Sequence, residues 1–273
     1  MPSEIRSSAG PEVGEHVTAD LSRWRMDRIE GVSVAEGVLL QDLDSGARLS
    51  VFGGRLARGQ GYATANRASR RQLARTGAII RLRDRNRYFV HASGVVDADG
   101  NAFVFVGESG AGKSTIAFAL ARQGWSLLGD DGVVLEHTPA GTIAHGWRSP
   151  LMVSADLAPY FPEMRGRLDQ AMHGDARHRV ACAAASTPRA RLAALVFLAQ
   201  GSPGWLRPCS QSQALLSLIR QSPWVLIGDE KSAPHFDALR TIVASTTLLD
   251  FRHGPTELER VSELFPFRDT HRA

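Results

Sequence analysis

The sequence predicts an α/β fold built around a mixed β-sheet, and three observations lead to this prediction. An apolar, β-branched and aromatic run at residues 103–106 stops at Gly107, and apolar residues at helical spacing follow over 116–122. A second short apolar strand at 125–128 comes after that helix. A strand at 88–96 reaches the first run through a tight turn, and such an antiparallel neighbour is not expected in a purely parallel βα fold.

The stretch between the first strand and its helix reads GESGAGKS and fits G-x-x-x-x-G-K-[ST], the phosphate-binding loop. The amides of such a loop form a nest for anions, and the positive end of the next helix adds to it. An exposed Lys113 ammonium would reach the phosphates of ATP, and the Ser114 hydroxyl would bind Mg²⁺. The alternative is a glycine-rich turn that ends in Lys-Ser by chance. The predicted nucleotide-binding residues are Gly107, Glu108, Ser109, Gly110, Ala111, Gly112, Lys113, Ser114 and Thr115.

Two adjacent acids, Asp130 and Asp131, follow the second strand and are flanked by Gly129 and Gly132. Neighbouring side chains of an extended segment point to opposite faces, but the glycines allow a bend that turns both acids towards the loop. Strand-end carboxylates there can hold Mg²⁺ or act as a base. The alternative is an Asp-Gly turn of a hairpin. We assign Mg²⁺ binding to Asp131 together with Ser114, and we expect Asp130 to orient or deprotonate the acceptor hydroxyl. The reverse assignment of the two acids stays open.

The chain before the loop strand is predicted to contain a polar, disordered tail at 1–16 and a small α+β region at 17–87. Strands at 37–40 and 48–52 flank a hairpin-like turn. A helix at 68–76 is expected to stop at Gly77, and the apolar run at 78–80 is a candidate strand. Residues 88–273 are assigned to the domain that carries the loop.

Beyond the acid pair the pattern predicts a hairpin over 133–147 and an irregular helix over 154–175. A buried strand is expected at 192–198, and another strand at 246–251. Helices are expected at 211–221, 234–244 and 256–264, while 225–227 is interpreted as a short strand or a loop. His173, Asp175 and His178 lack a metal-binding spacing, so they are interpreted as surface residues.

The amino-acid composition limits the classes of partner that the chain is expected to bind. The 43% hydrophobic content supports a sizeable core, and the net charge of +4 comes from arginines spread along the chain. The densest group, between Arg67 and Arg87, is either a solvated face or a site for an acidic peptide, and no motif supports nucleic acid. Cys182 and Cys209 make no disulfide framework. With neither a signal peptide nor an 18-residue apolar run, we expect a soluble cytoplasmic protein without a membrane partner.

His91, the loop and Asp130–Asp131 resemble, in order and spacing, the HPr kinase/phosphorylase family and its shorter kinase-like relatives. The resemblance covers residues 88–137 and continues weakly into the strand at 192–198. It implies a fold like that of the HPr kinase C-terminal domain and phosphoenolpyruvate carboxykinase, with His91 near the γ-phosphate. By pattern, His91 would otherwise be an ordinary residue of an apolar strand.

The chain departs from that family at three places. It has a shorter N-terminal region, Thr115 stands where the family has Glu, and the Arg-Gly-Leu-Gly signature is missing, with Arg148 as the nearest counterpart. The shorter relatives include kinases of peptide-modification clusters, which phosphorylate a serine of lasso precursor peptides. The resemblance therefore implies an acceptor other than HPr.

Together these features predict a kinase that transfers the γ-phosphate of Mg-ATP to a serine or threonine hydroxyl of a peptide or small protein. The predicted catalytic residues are Asp130, His91 and Lys113. Two alternatives stay open: a regulator that binds ATP without transfer, and a small-molecule or carboxykinase-like enzyme. Homo-oligomer formation, the acceptor and any reverse phosphorylase activity are also left open.

Overall fold

The computed structural model describes residues 22–34, 37–147, 151–154, 161, 177–179 and 186–265. The chain divides into two compact units, Met1–Arg85 with Leu226–Ser232 and Asn86–Val225 with Ala233–Ala273. The tail expected at 1–16 lies outside the described residues, as does most of the irregular helix expected at 154–175. Along the described part of the chain, no helix is both long enough and apolar enough to cross a membrane.

The first unit contains an antiparallel sheet with one helix, α1 (Arg67–Arg83), on its buried face. Its strands, which pair in chain order, are β1 (Ser22–Met26), β2 (Ile29–Val34), β3 (Gly37–Asp42), β4 (Arg48–Phe52) and β5 (Arg55–Arg58). The predicted hairpin at 37–52 is confirmed by the antiparallel pairing of β3 with β4. Alternate residues such as Leu40, Leu49 and Val51 are buried, as the period of two in a half-buried sheet requires.

Helix α1 runs through Gly77, so the expected stop at this residue and the candidate strand at 78–80 are wrong. The reason is the sheet beneath the helix. A Cβ at Gly77 would lie 2.7 Å from the Cδ2 atoms of both Leu49 and Leu56. Glycine at this position permits close packing of α1 on the sheet, at a helix-propensity cost of about 1 kcal/mol.

A buried ion pair joins α1 to the segment Leu226–Ser232. The Arg83 side chain is 1% exposed and donates to both carboxylate oxygens of Asp229, at 2.7 and 2.6 Å. Two residues earlier, the Ile227 carbonyl accepts a hydrogen bond of 3.1 Å from Ser33 Oγ in β2. The segment therefore belongs to the first unit by its polar contacts.

Replacing Asp229 with alanine should lower the free energy of unfolding of this unit by about 3–5 kcal/mol, because it leaves a buried guanidinium without its counter-charge. Urea unfolding followed by circular dichroism measures the change. The matched control is Arg85→Ala, at an exposed arginine, which should shift stability by at most about 0.5 kcal/mol. Equal midpoints for the Asp229 variant and the wild type would contradict the structural role given to this pair.

The second unit is a mixed sheet with helices on both faces. Its strands are β6 (Arg87–Val90), β7 (Ala92–Val96), β8 (Asn101–Val106), β9 (Ser126–Gly129), β10 (Val133–Thr138), β11 (Gly141–Gly146), β12 (Met152–Ser154), β13 (Arg177–Arg179), β14 (Arg189–Gln200), β15 (Trp205–Pro208) and β16 (Thr247–His253). Strands β12 and β13 form a separate pair. The others form one sheet, in which β14 lies parallel to both β8 and β16 and the remaining pairings are antiparallel. The predicted mixed sheet is confirmed.

Strand β8 is buried on both faces, which explains its unbroken apolar sequence. Phe103 and Phe105 pack in one cluster with residues of α2 (Lys113–Arg122), and Val104 and Val106 pack in the opposite cluster. That second cluster contains residues of α3 (Gln211–Gln221) and α4 (Ser232–Ser245). The loop after Val106 thus leaves a strand that is held from both sides.

Three sequence predictions change in detail. The strand expected at 88–96 is interrupted at His91, because the His91 amide donates to the Gln221 carbonyl at 2.7 Å and leaves the strand ladder. The helix expected at 256–264 is two short pieces, α5 (Pro255–Leu258) and the 3₁₀ turn Val261–Leu264. Of residues 225–227, which were expected to form a short strand or a loop, the first two lie in the 3₁₀ turn Pro223–Leu226.

Strand direction brings the chemistry-bearing residues to one edge of the sheet. Strands β8 and β9 are both antiparallel to β7, so they run in the same direction, and β14 and β16 are parallel to β8. The carboxyl ends of these four strands and the start of β7 therefore meet at the same edge. In open α/β sheets this is the edge where ligands bind.

Candidate functional site

The loop at 107–112 connects the end of β8 to the start of α2, which is the strand–turn–helix context predicted from its sequence. Gly112 occupies the N-cap position of α2 with φ 92°, in the left-handed region that favours glycine. No hydrogen bond from a described side chain caps the first turn of α2. Its amides are thus available to an anion.

Lys113 is 8% exposed, so the expectation of an exposed ammonium is wrong. Its Nζ donates to the carbonyl oxygens of Gly107 and Glu108, at 2.8 and 3.0 Å. The side chain therefore curls back along its own loop. The ammonium lies within the turn that the loop forms.

Asp130 is 1% exposed and both of its carboxylate oxygens accept hydrogen bonds. Oδ1 accepts from Ser114 Oγ at 2.8 Å and from Ser93 Oγ at 2.5 Å, and Oδ2 accepts from the Met152 amide at 3.0 Å. The assignment of Mg²⁺ to Asp131 with Ser114 stays a prediction. Asp130 is the acid that lies against the loop serine.

Asp131 is 38% exposed and lies beside His91, with 3.3 Å between Asp131 Oδ1 and His91 Nδ1. Its φ of 57° is in the left-handed region, which a non-glycine residue adopts at a cost of about 1–2 kcal/mol. The positive φ lies at Asp131 rather than at the flanking Gly129 or Gly132. A Cβ at Gly132 would overlap the Phe89 ring, so this glycine serves close packing.

Three polar residues at this edge are absent from the sequence prediction. Ser93, in β7, contacts Asp130 as described above. Gln200 ends β14 and donates to the Gly110 carbonyl at 2.7 Å, and His253 ends β16 with Nε2 at 2.9 Å from the Ala111 carbonyl. A signal was available, because each of the last two is a polar residue two positions beyond the end of a predicted strand. Their convergence depends on the parallel pairing of strands far apart in sequence.

The oxygens of Ser114 and Asp130 are of the kind that Mg²⁺ prefers, and Mg²⁺ commonly uses one or two carboxylates together with water and substrate phosphates. Among the described residues, no group of three or more His, Cys, Asp or Glu side chains forms a closed metal site. The donor set fits a metal ion that arrives with a nucleotide. Arg148, the nearest counterpart of the family's signature arginine, lies outside the described residues.

Comparison with known proteins adds little to this picture. No family model matches the chain, and no curated protein matches it significantly. Among solved structures, the Hpr(Ser) kinase/phosphatase from Coxiella burnetii matches 64% of this chain and 91% of its own, with 13% sequence identity and a TM-score of 0.34. A likeness at this level assigns no family, so any function rests on the geometry of the site.

Proposed function

We propose that the protein is a Mg-ATP-dependent kinase that phosphorylates a serine or threonine hydroxyl of a peptide or small protein. The observation that carries the proposal is the contact between Ser114 and Asp130, next to the Asp131–His91 pair. The first pair offers oxygen ligands for Mg²⁺, and the second offers a base that solvent can reach. A protein that only binds nucleotide would not need both.

The proposed roles follow from exposure. Asp130 is buried and already accepts three hydrogen bonds, so it suits a metal-binding role together with Ser114. Asp131 is more than a third exposed and suits contact with a substrate hydroxyl. We therefore propose the reverse of the division first assigned from sequence, with Asp131 facing the acceptor.

In the proposed reaction, the loop amides and Lys113 bind the phosphates. Bound Mg-ATP would supply the phosphoryl group, and its Mg²⁺ would neutralise part of the negative charge that develops during transfer. Asp131 orients the acceptor hydroxyl and takes its proton as the oxygen–phosphorus bond forms, while the bond to the leaving ADP oxygen breaks. His91, 3.3 Å from Asp131, holds that carboxylate in place and can relay the proton to solvent.

The resemblance of residues 88–137 to short kinases of peptide-modification clusters supports a peptide acceptor. We expect slow ATP hydrolysis by the protein alone, and one added phosphate on a serine or threonine when the right acceptor is present. The measurement is mass spectrometry of short peptides encoded beside this gene, incubated with the protein and Mg-ATP. A reaction without Mg²⁺ is the control.

Two other outcomes would replace this proposal. Tight ATP binding with no modified product from any of these peptides would favour a nucleotide-binding regulator. Production of ADP with a metabolite, and none with peptides, would favour a small-molecule kinase. In either case the peptide acceptor proposed here would be wrong.

A further inference from the structure

Two side chains from separate strands contact consecutive carbonyl groups of the loop. Gln200 Nε2 donates to the Gly110 carbonyl at 2.7 Å, and His253 Nε2 lies 2.9 Å from the Ala111 carbonyl. A carbonyl oxygen only accepts, so His253 Nε2 carries the hydrogen in this pair. Both residues stand at the carboxyl ends of strands that run parallel to β8.

These contacts determine which way the loop amides point. In a planar trans peptide, the carbonyl and the following amide point in opposite directions. The peptide between Gly110 and Ala111 is held at both edges, since the Ala111 amide donates to the Glu108 carbonyl at 3.1 Å. In the next peptide, His253 holds the Ala111 carbonyl, so the Gly112 amide points away from His253.

The contact with His253 is close and buried. The His253 ring is 4% exposed, and a Cβ at Gly112 would lie 2.5 Å from its Cε1 atom. Burial lowers the pKa of His253 below its usual value, against the hydrogen bond to Ala111 and the Glu257 carboxylate, which both raise it, and this favours the neutral ring. It therefore acts on the loop through its shape and its one N–H donor.

We propose that His253 and Gln200 are positioning residues that hold two loop carbonyls outward and so keep the loop in the form in which the Gly112 amide faces an anionic ligand of the triphosphate class. This inference rests on the proposed nucleotide binding and extends it to residues outside the loop motif. Neither residue contacts the ligand in this proposal. Their effect on binding passes through the orientation of two peptide groups.

The test is the dissociation constant of methylanthraniloyl-ATP for the full chain, measured by fluorescence titration with Mg²⁺. His253→Phe keeps a ring but loses the donor, and should weaken binding about 10-fold. His253→Gln restores an N–H donor and should recover most of the affinity. A purely structural role for the ring predicts the opposite order, with Phe better tolerated than Gln.

A second variant covers the case in which His253→Phe does not fold. Gln200→Met removes the exposed side-chain donor that bonds the loop from β14, and it should weaken binding about 3- to 5-fold. Gln213→Met makes the same chemical change at an exposed residue of α3 and should leave affinity unchanged. Wild-type affinity in folded His253→Phe and Gln200→Met proteins would overturn the inference. Failure of the wild type to bind the probe would instead overturn the proposed nucleotide binding, and this inference with it.

Discussion

Replacement of Lys113 with alanine should weaken Mg-ATP binding by about 100-fold, because it removes the ammonium from the centre of the loop. A charge-assisted hydrogen bond contributes about 1.5–3 kcal/mol, so the loss of one such bond to a phosphate oxygen accounts for a change of this size. Isothermal titration calorimetry measures the dissociation constant directly. Phosphoryl transfer should fall at least as far as binding does.

The buried position of Lys113 adds a requirement to this experiment. The ammonium also bonds the carbonyls of Gly107 and Glu108, so its loss relaxes the loop as well as removing charge. Thermal unfolding has to show that the rest of the protein is intact. Lys231→Ala is the matched control, since Lys231 is the other lysine of the chain. Undiminished ATP affinity in a folded Lys113→Ala protein would exclude the phosphate-binding role.

The two acids should separate metal binding from proton transfer. Asp130→Asn should raise the Mg²⁺ concentration needed for activity and lower transfer by about 100- to 1,000-fold, because a neutral amide replaces a carboxylate ligand of Mg²⁺. An amide also cannot accept all three hydrogen bonds that reach Asp130, so some loss of stability is expected. Asp131→Asn should keep the magnesium dependence and ATP affinity of the wild type.

Transfer in Asp131→Asn should nevertheless fall by about 100- to 10,000-fold, the usual contribution of a general base. Initial rates at a series of Mg²⁺ concentrations distinguish the two variants. Asp99→Asn, at an exposed acid of the turn before β8, is the control and should behave as the wild type. If Asp131→Asn changed the magnesium dependence and Asp130→Asn did not, the roles would be the ones first assigned from sequence.

The sequence predicts those parts of the fold that depend on contacts between residues close together in the chain. The hairpin of β3 and β4 and the mixed sheet follow from apolar runs and turn residues. The incorrect prediction of a helix end at Gly77 has a non-local cause. The glycine is required by close packing against Leu49 and Leu56 of the sheet, not by the conformation of its own helix. A helix propensity contains no information about such a packing partner.

The candidate site also has a part that the sequence predicts and a part that it does not. The loop and the two acids lie within residues 107–131, and their spacing predicts a common site. The contacts of the two acids, Asp130 with Ser114 and Asp131 with His91, do not follow from that spacing, and neither does the left-handed backbone of Asp131. Gln200 and His253 reach the loop only because β14 and β16 lie parallel to β8, and parallel neighbours are distant in sequence.

The segment Leu226–Ser232 makes the first unit discontinuous, and this limits how the protein can be dissected. A fragment that ends at Arg85 lacks Asp229 and leaves the Arg83 guanidinium without its carboxylate. A fragment that begins at Asn86 retains the segment, with the fully buried Ile227, but lacks the strand whose Ser33 bonds the Ile227 carbonyl. Isolated halves are therefore expected to be less stable than the intact protein, and function is best assigned with full-length point variants rather than truncations.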